Sequence, residues 1–273
     1  MSTTVADVAA AVERLWPAAG AEPWDAVGLV AGDQDAPVTS ILLAVDAVLD
    51  TVDEALEAGA SMLLVHHPLL LRGVTTVASD RYKGAVLTRL IRGNCALLAA
   101  HTNADVVETG TSAVFAARLS LQDARPIAAS ADNAARGIGR VGRLPEPTTL
   151  GALARLLGEL LPATASGIRV SGDFDTPVQT VALCGGAGDS LLAEPAVTGA
   201  DVYITSDLRH HPASEARENA AAAGGPALID VSHWASEWLW LDTAAAELRA
   251  ALPGVTITVS DLRTDPWDFV VLQ

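Results

Sequence analysis

The chain has 273 residues, half of them hydrophobic, with 22 Gly and 14 Pro, which is enough to bury a sizeable core in one large or two modest domains. Its 33 acidic and 17 basic residues give a net charge of −16, and the Arg and Lys are scattered rather than patched. Nucleic acid is therefore not expected as a partner, whereas a cation held by carboxylates and imidazoles is compatible with this balance.

From the N-terminus, VADVAAAVERLW reads as an amphipathic helix with acidic residues and not as a targeting signal. The longest apolar stretches are cut by Asp, Glu, His or Arg before membrane-spanning length. No membrane partner is expected, and the expected location is the cytoplasm. A strand, VGLVAG, then a second, SILLAVD, follow, then a helix and a third strand, SMLLV, which runs into His66, His67 and Pro68. Neighbouring side chains on a regular strand face opposite ways, so two adjacent histidines reach one region only where the strand ends. Pro68 supplies that end, since it cannot donate to a ladder. A fourth strand, CALLAA, leads into His101 and, four residues on, Asp105. Cys95 and Cys184 lie in apolar, strand-like surroundings and form neither a zinc spacing nor a disulfide framework, so buried free thiols are expected. GIGRVG has the glycine spacing of a dinucleotide loop, but RLPEP after it cannot open the required helix. It reads as a glycine-rich strand.

The second half repeats the first. GDQDAPVTSILL from Gly32 matches GDFDTPVQTVAL from Gly172 at six of twelve positions, and the offset of 140 carries on into AGASMLLV and TGADVYIT. At this offset His66 and His67 meet Ser206 and Asp207, so the halves are not chemically equivalent. The fourth strands repeat at an offset of 132, which sets His101 and Asp105 against His233 and Glu237. An acid four residues after a histidine shares its face if the segment is helical. The fold class expected is α/β (mixed α+β), with sequence repeat units of about 1–145 and 146–273. Imidazoles and carboxylates converging from several strand ends suit Zn, Mn, Fe, Co or Ni, and their number suggests a dinuclear site with a bridging carboxylate. His210 and His211 lie beyond the repeat-equivalent position, in a loop or first helical turn. They read as structural, with contact to a substrate cavity as the lesser alternative.

The ordered set WDAVGL, LLVHHPLLLRG, HTNAD, GIGRVG, CGGAGDS, ADVYITSDLRHH, DVSHWASE and DPWDFV resembles the NIF-three-like family, also called the dinuclear metal centre hexameric family and labelled GTP cyclohydrolase 1 type 2 homologues. The motifs run almost end to end. The resemblance implies two metal ions per chain on His66, His67, Asp105, His233 and Glu237, with Asp105 bridging. His101 would stand behind the ligands or on the substrate side, as the candidate catalytic proton carrier. The resemblance also implies two similar α/β domains with exchanged C-terminal segments: about 1–101 plus 238–273, and about 102–237. A ring-like homo-hexamer is implied as well, with no domain inserted between the halves here. The family label suggests hydrolytic opening of the guanine ring of GTP, and nucleotide or phosphoester hydrolysis is the function expected. The alternative is a non-enzymatic metal store, chaperone or scaffold. The chain departs from the family pattern at Ala26, where Asn is usual, and at Trp234.

Overall fold

The computed structural model describes residues 2–271; residues 1, 272 and 273, at the outer limits of the expected domains, lie outside the described residues. The chain divides into two compact units, Met1–Ala104 with Leu241–Thr264, and Asp105–Trp240 with Asp265–Gln273. Both are mixed α/β.

The first unit is built on the strands β1 (Gly28–Ala31), β2 (Ser40–Ala44), β3 (Met62–Val65) and β4 (Ala96–Ala99), joined by β13 (Thr256–Val259) from the C-terminal segment. Their order is β1-β4-β3-β2-β13, parallel throughout except for β1. The runs MLLV and ALLA are buried at every position, as strands covered on both faces must be. Leu42, Leu63 and Leu97 pack on one face with Val52 and Ala55 of α2 (Leu49–Glu57) and with Val86 and Leu90 of α3 (Tyr82–Arg92). On the other face lie α1 (Val5–Leu15) and α10 (Leu241–Ala251), where Trp16 donates Nε1–H to Glu247 at 3.0 Å. Thr4 opens α1 with a capping box, exchanging bonds with Asp7. The short helix α4 (Thr102–Asp105) follows β4.

The second unit is built on a six-stranded sheet: β5 (Gln122–Arg125), β8 (Arg140–Thr149), β9 (Arg169–Ser171), β10 (Pro177–Ala187), β11 (Val202–Ser206) and β12 (Ala227–Val231), in the order β5-β8-β10-β11-β12-β9. A separate ribbon pairs β6 (Ala128–Ala129) with β7 (Gly137–Ile138), so GIGRVG is strand on either side of Gly139. The segment β9-β12-β11-β10 repeats the pattern β1-β4-β3-β2: three parallel strands with an antiparallel edge strand. Helices α5 (Thr111–Arg118) and α9 (His233–Trp238) cover β10, α6 (Leu150–Leu160) packs on β8, and α7 (Pro195–Thr198) and α8 (His210–Ala223) serve the Tyr203 and Ala182 cluster. The sequence reading carries the first domain to the C-terminus, whereas the segment from Asp265 lies with the second unit. Asp265 Oδ2 accepts from Ser232 Oγ at 2.6 Å there. Among the described residues no helix is long and apolar enough to cross a membrane.

Candidate metal centre

In the first unit the parallel pairing of β3 with β4 brings their C-terminal ends side by side, Val65 opposite Ala99. The backbone bonds continue past the strands, from His66 N to Ala44 O, His67 N to Val45 O and Ala100 N to Val65 O. This fixes where His66, His67 and His101 leave the sheet, at the edge where ligands gather in open α/β folds. The three residues each bring one ring nitrogen within 4.8 Å of the others, and their ring centroids lie 5.1 to 5.4 Å apart. His66 is fully buried, and the other two are partly exposed.

Each ring is oriented from behind. His66 Nδ1 lies 2.9 Å from Ala100 O, which only accepts, so Nδ1 carries the proton and Nε2 the lone pair. His67 Nδ1 lies 2.7 Å from Asp46 Oδ1, and Asp46 Oδ2 accepts from Thr264 Oγ1 at 2.5 Å. His101 Nδ1 lies 2.9 Å from Asp25 Oδ1. Burial pushes the Asp25 carboxyl up, but the Thr102 and His101 hydrogen bonds, the His101 charge and the Ala26 N–H together hold it below the usual carboxylate range. It is therefore an ionised acceptor. Trp24, 58% exposed, meets the His101 ring edge to face at 5.9 Å.

In the second unit β11 and β12 also end together, Ser206 opposite Val231. Asp207 leaves β11 with φ of +58°, a left-handed conformation tolerated by Asp. Its Oδ2 lies 2.8 Å from His233 Nδ1. That bond is the main influence holding the Asp207 carboxyl below its ordinary value; burial opposes it, the His233 charge assists it, Glu237 opposes it and Arg169 assists it. His233 Nε2 points at Glu237 Oε1, 2.9 Å away, one turn along α9. Ser232 caps this helix by accepting from Ala235 N at 3.2 Å. Gly186, with φ of +71°, lies beneath the pair: a Cβ there would sit 2.4 Å from Glu237 Oε1 and 3.2 Å from His233 Nε2. Asp105 Oδ1 accepts from Thr111 Oγ1 at 2.5 Å. The Cys184 thiol is pushed up to about 12, by burial first, then by the Asp105 charge, with Glu237 adding to it. Glu237 thus faces the Gly186 end of β10. Burial likewise pushes Cys95 up to about 11, so both cysteines are buried free thiols.

All four histidines share one design: an acceptor fixes Nδ1, which leaves Nε2 as the nitrogen on the far side of the ring. This is how metal-binding imidazoles are held, with a carbonyl or carboxylate setting tautomer and basicity. The donors present fit a divalent transition metal. The sequence singles out the four histidines and the two acids, whereas Asp25 and Asp46, which hold two of the rings, carry no signal there. Trp234 is buried and its ring lies 6.3 Å from that of Trp238, so it turns into the protein interior. His210 and His211 are exposed in the first turn of α8.

A family model described as Duf34/NIF3 (NGG1p interacting factor 3) matches residues 3–266. The chain belongs to this family. A Streptomyces coelicolor relative named "GTP cyclohydrolase 1 type 2 homolog" is 47% identical over 269 residues, covering 96% of this chain and 93% of the relative. A Mycobacterium tuberculosis relative of the same name is 35% identical over 378 aligned residues, covering 98% and 97% of the two chains. That alignment is longer than the 273 residues here, so the mycobacterial protein carries sequence that this chain lacks. Among solved structures, a hypothetical protein from Staphylococcus aureus superposes with a TM-score of 0.89 at 25% identity, over 99% of this chain and 100% of that one. A Bacillus cereus protein related to NIF3 has the same fold, with a TM-score of 0.88 at 22% identity over 98% and 99%.

Proposed function

We propose that His66, His67, Asp105, His233 and Glu237 bind two divalent cations per chain, drawn from Zn, Fe, Mn, Co and Ni, and that the protein is a metal-dependent hydrolase of a nucleotide or phosphoester-type small molecule. The observation that carries the reading is the common treatment of the four imidazoles, each fixed at Nδ1 by an acceptor. Buried structural histidines rarely share such an arrangement across separate strand ends, whereas ligands require it. The name shared by the Streptomyces and mycobacterial relatives supports the substrate class.

Divalent ions at such a site supply Lewis acidity and an activated water. The chain's own part is to hold the donors and to manage protons. Asp25 and Asp207, ionised, keep Nδ1 of His101 and His233 protonated and so leave each Nε2 as the donor. The distances within the His66, His67 and His101 group favour His101 as a third nitrogen donor over a proton carrier set behind the ligands. We further propose assembly into a homo-hexamer. The exposed Trp267, Phe269, Val270 and Val271 supply apolar surface of the kind that subunit contacts cover. Light scattering is expected to give about six times 28.0 kDa; a monomer removes this part.

The test of the main reading is metal analysis of protein purified without added metal, for wild type, His101→Ala and Asp105→Ala, followed by assay against nucleotides and phosphoesters. Two ions per wild-type chain, a sharp fall in Asp105→Ala and metal-dependent turnover are expected. Stoichiometric metal without turnover would leave a binding protein, and no metal after reconstitution would return the histidines to a structural role.

A further inference from the structure

Beside β9, the edge strand of the second unit, lies an open groove of about 430 Å³, lined mostly by exposed or half-exposed side chains and by no proposed ligand. Its volume is that of a small-molecule site. One wall is a stripe of α8, where His210, Ala213, Ser214 and Arg217 recur at the spacing of a single helical face. The facing wall is β9 itself, with Arg169 and Ser171, and the floor includes Leu208 and Asp230. A helix beside a sheet ordinarily turns its apolar face inward. This 14-residue helix has no buried residue and presents an imidazole, a hydroxyl and a guanidinium to the groove.

The charges within the groove are unevenly matched. Asp230 Oδ2 is occupied by Arg169 Nη2 at 2.5 Å and by Leu208 N at 3.1 Å. Arg169 also acts on the Asp207 carboxylate, so this one guanidinium is shared between two acids. Arg217 has no ion-pair or hydrogen-bond partner among the described residues. Arg169 keeps further N–H donors beyond the one spent on Asp230. A site with a guanidinium left unengaged, that of Arg217, beside two hydroxyls and an imidazole is unusual in a chain of net charge −16, where exposed surface repels anions. Its place matters too. Leu208 follows Asp207 directly, and Asp230 precedes His233 by three residues on the same strand end.

We propose that this groove is the phosphate subsite of the substrate: Arg217 and Arg169 clasp a phosphate monoester while Ser171, Ser214 and His210 hydrogen-bond it. The inference rests on the hydrolase reading and narrows its substrate class to molecules with a terminal phosphate monoester. Arginine forks match phosphate oxygens in pairs, which makes guanidinium the dominant recognition group here.

The experiment is calorimetric titration of the metal-loaded full chain with inorganic phosphate, guanosine monophosphate and guanosine, in wild type, Arg217→Ala, Arg217→Lys and Arg125→Ala. Metal content is measured on every variant, so an effect through the ions is seen directly. Arg125 lies on β5, the opposite edge of the same sheet, and controls for loss of one positive charge. Phosphate and the monophosphate are expected to bind, with guanosine markedly weaker. Arg217→Ala, at unchanged metal content, should weaken both phosphate ligands about tenfold or more, the loss expected for a hydrogen-bonded charged contact. Arg217→Lys should recover part of it, and Arg125→Ala should show no such loss. Equal binding of guanosine and its monophosphate, equal losses in the Arg217 and Arg125 variants, or no binding of either phosphate ligand would each overturn the subsite. Arg217-dependent binding without turnover would uphold the subsite and remove the hydrolase reading. Turnover unaffected by Arg217→Ala would do the reverse.

Discussion

A neutral imidazole offers a metal one nitrogen, and the group that holds the other decides which. Asp46 does this for His67 and is itself steadied by Thr264 Oγ1. Asp46→Asn keeps the shape and an accepting oxygen but removes the charge that raises ligand basicity. It is expected to lower metal affinity by roughly 10- to 100-fold, the usual cost of losing such a partner, while the fold survives. Competition against a chromophoric chelator measures it; unchanged affinity would show that His67 does not depend on this carboxylate. The residues of this kind are also where the sequence is least informative. The histidines stand out because they recur at fixed offsets, but Asp25 and Asp46 lie 76 and 21 residues from the rings they hold. No periodicity links such pairs; only the strand ends bring them together. Asp207 is the exception, since the offset of 140 sets it opposite His67 and so marks it as part of the corresponding strand end.

At the scale of elements, the repeated motif produces the same local structure twice. In GDQDAP, Asp35 N donates to Asp33 Oδ1 and Ala36 N to Asp33 O; in GDFDTP, Asp175 N and Thr176 N do the same to Asp173. The glycines before them both have positive φ, +131° at Gly32 and +149° at Gly172, and both lie against the first alanine of a fourth strand. Buried strands were legible because an unbroken apolar run has few other uses. Strand β5 was not, because QDAR is exposed at every position and has no pattern to read. The helix caps offer a test of which elements serve the site. Ser232 caps α9, which carries His233 and Glu237, whereas Thr149 caps α6, which carries no ligand. Thr149→Ala should cost about 1 kcal/mol of stability, a typical loss for a cap, and Ser232→Ala more, since its hydroxyl also donates to Asp265. Only Ser232→Ala is expected to lower metal affinity as well. If denaturant titration shows both losses and both variants still bind metal like wild type, the ligands on α9 are not held in place by its cap.

For the molecule as a whole, the excess of negative charge and the proposed cations act on the same quantity, the stability of the folded chain. A net charge of −16 destabilises any compact state by self-repulsion, and salt relieves that repulsion whatever the ion. A specific site behaves differently, because an ion that binds only the folded form stabilises it by an amount set by concentration over Kd, about 2.7 kcal/mol at 100 times Kd. Sodium chloride at moderate concentration is thus expected to raise the melting temperature of wild type and of Asp105→Ala alike. A divalent transition metal at micromolar concentration, too dilute to screen, should raise it by a few degrees in wild type and far less in the variant. Chelation should reverse the wild-type gain and leave the variant where it was. If micromolar metal moves both proteins equally, the ions are acting on the charge of the chain and not on a site that includes Asp105. If it moves neither, the shared arrangement of the four imidazoles has a structural cause, and the stability of the fold is independent of metal.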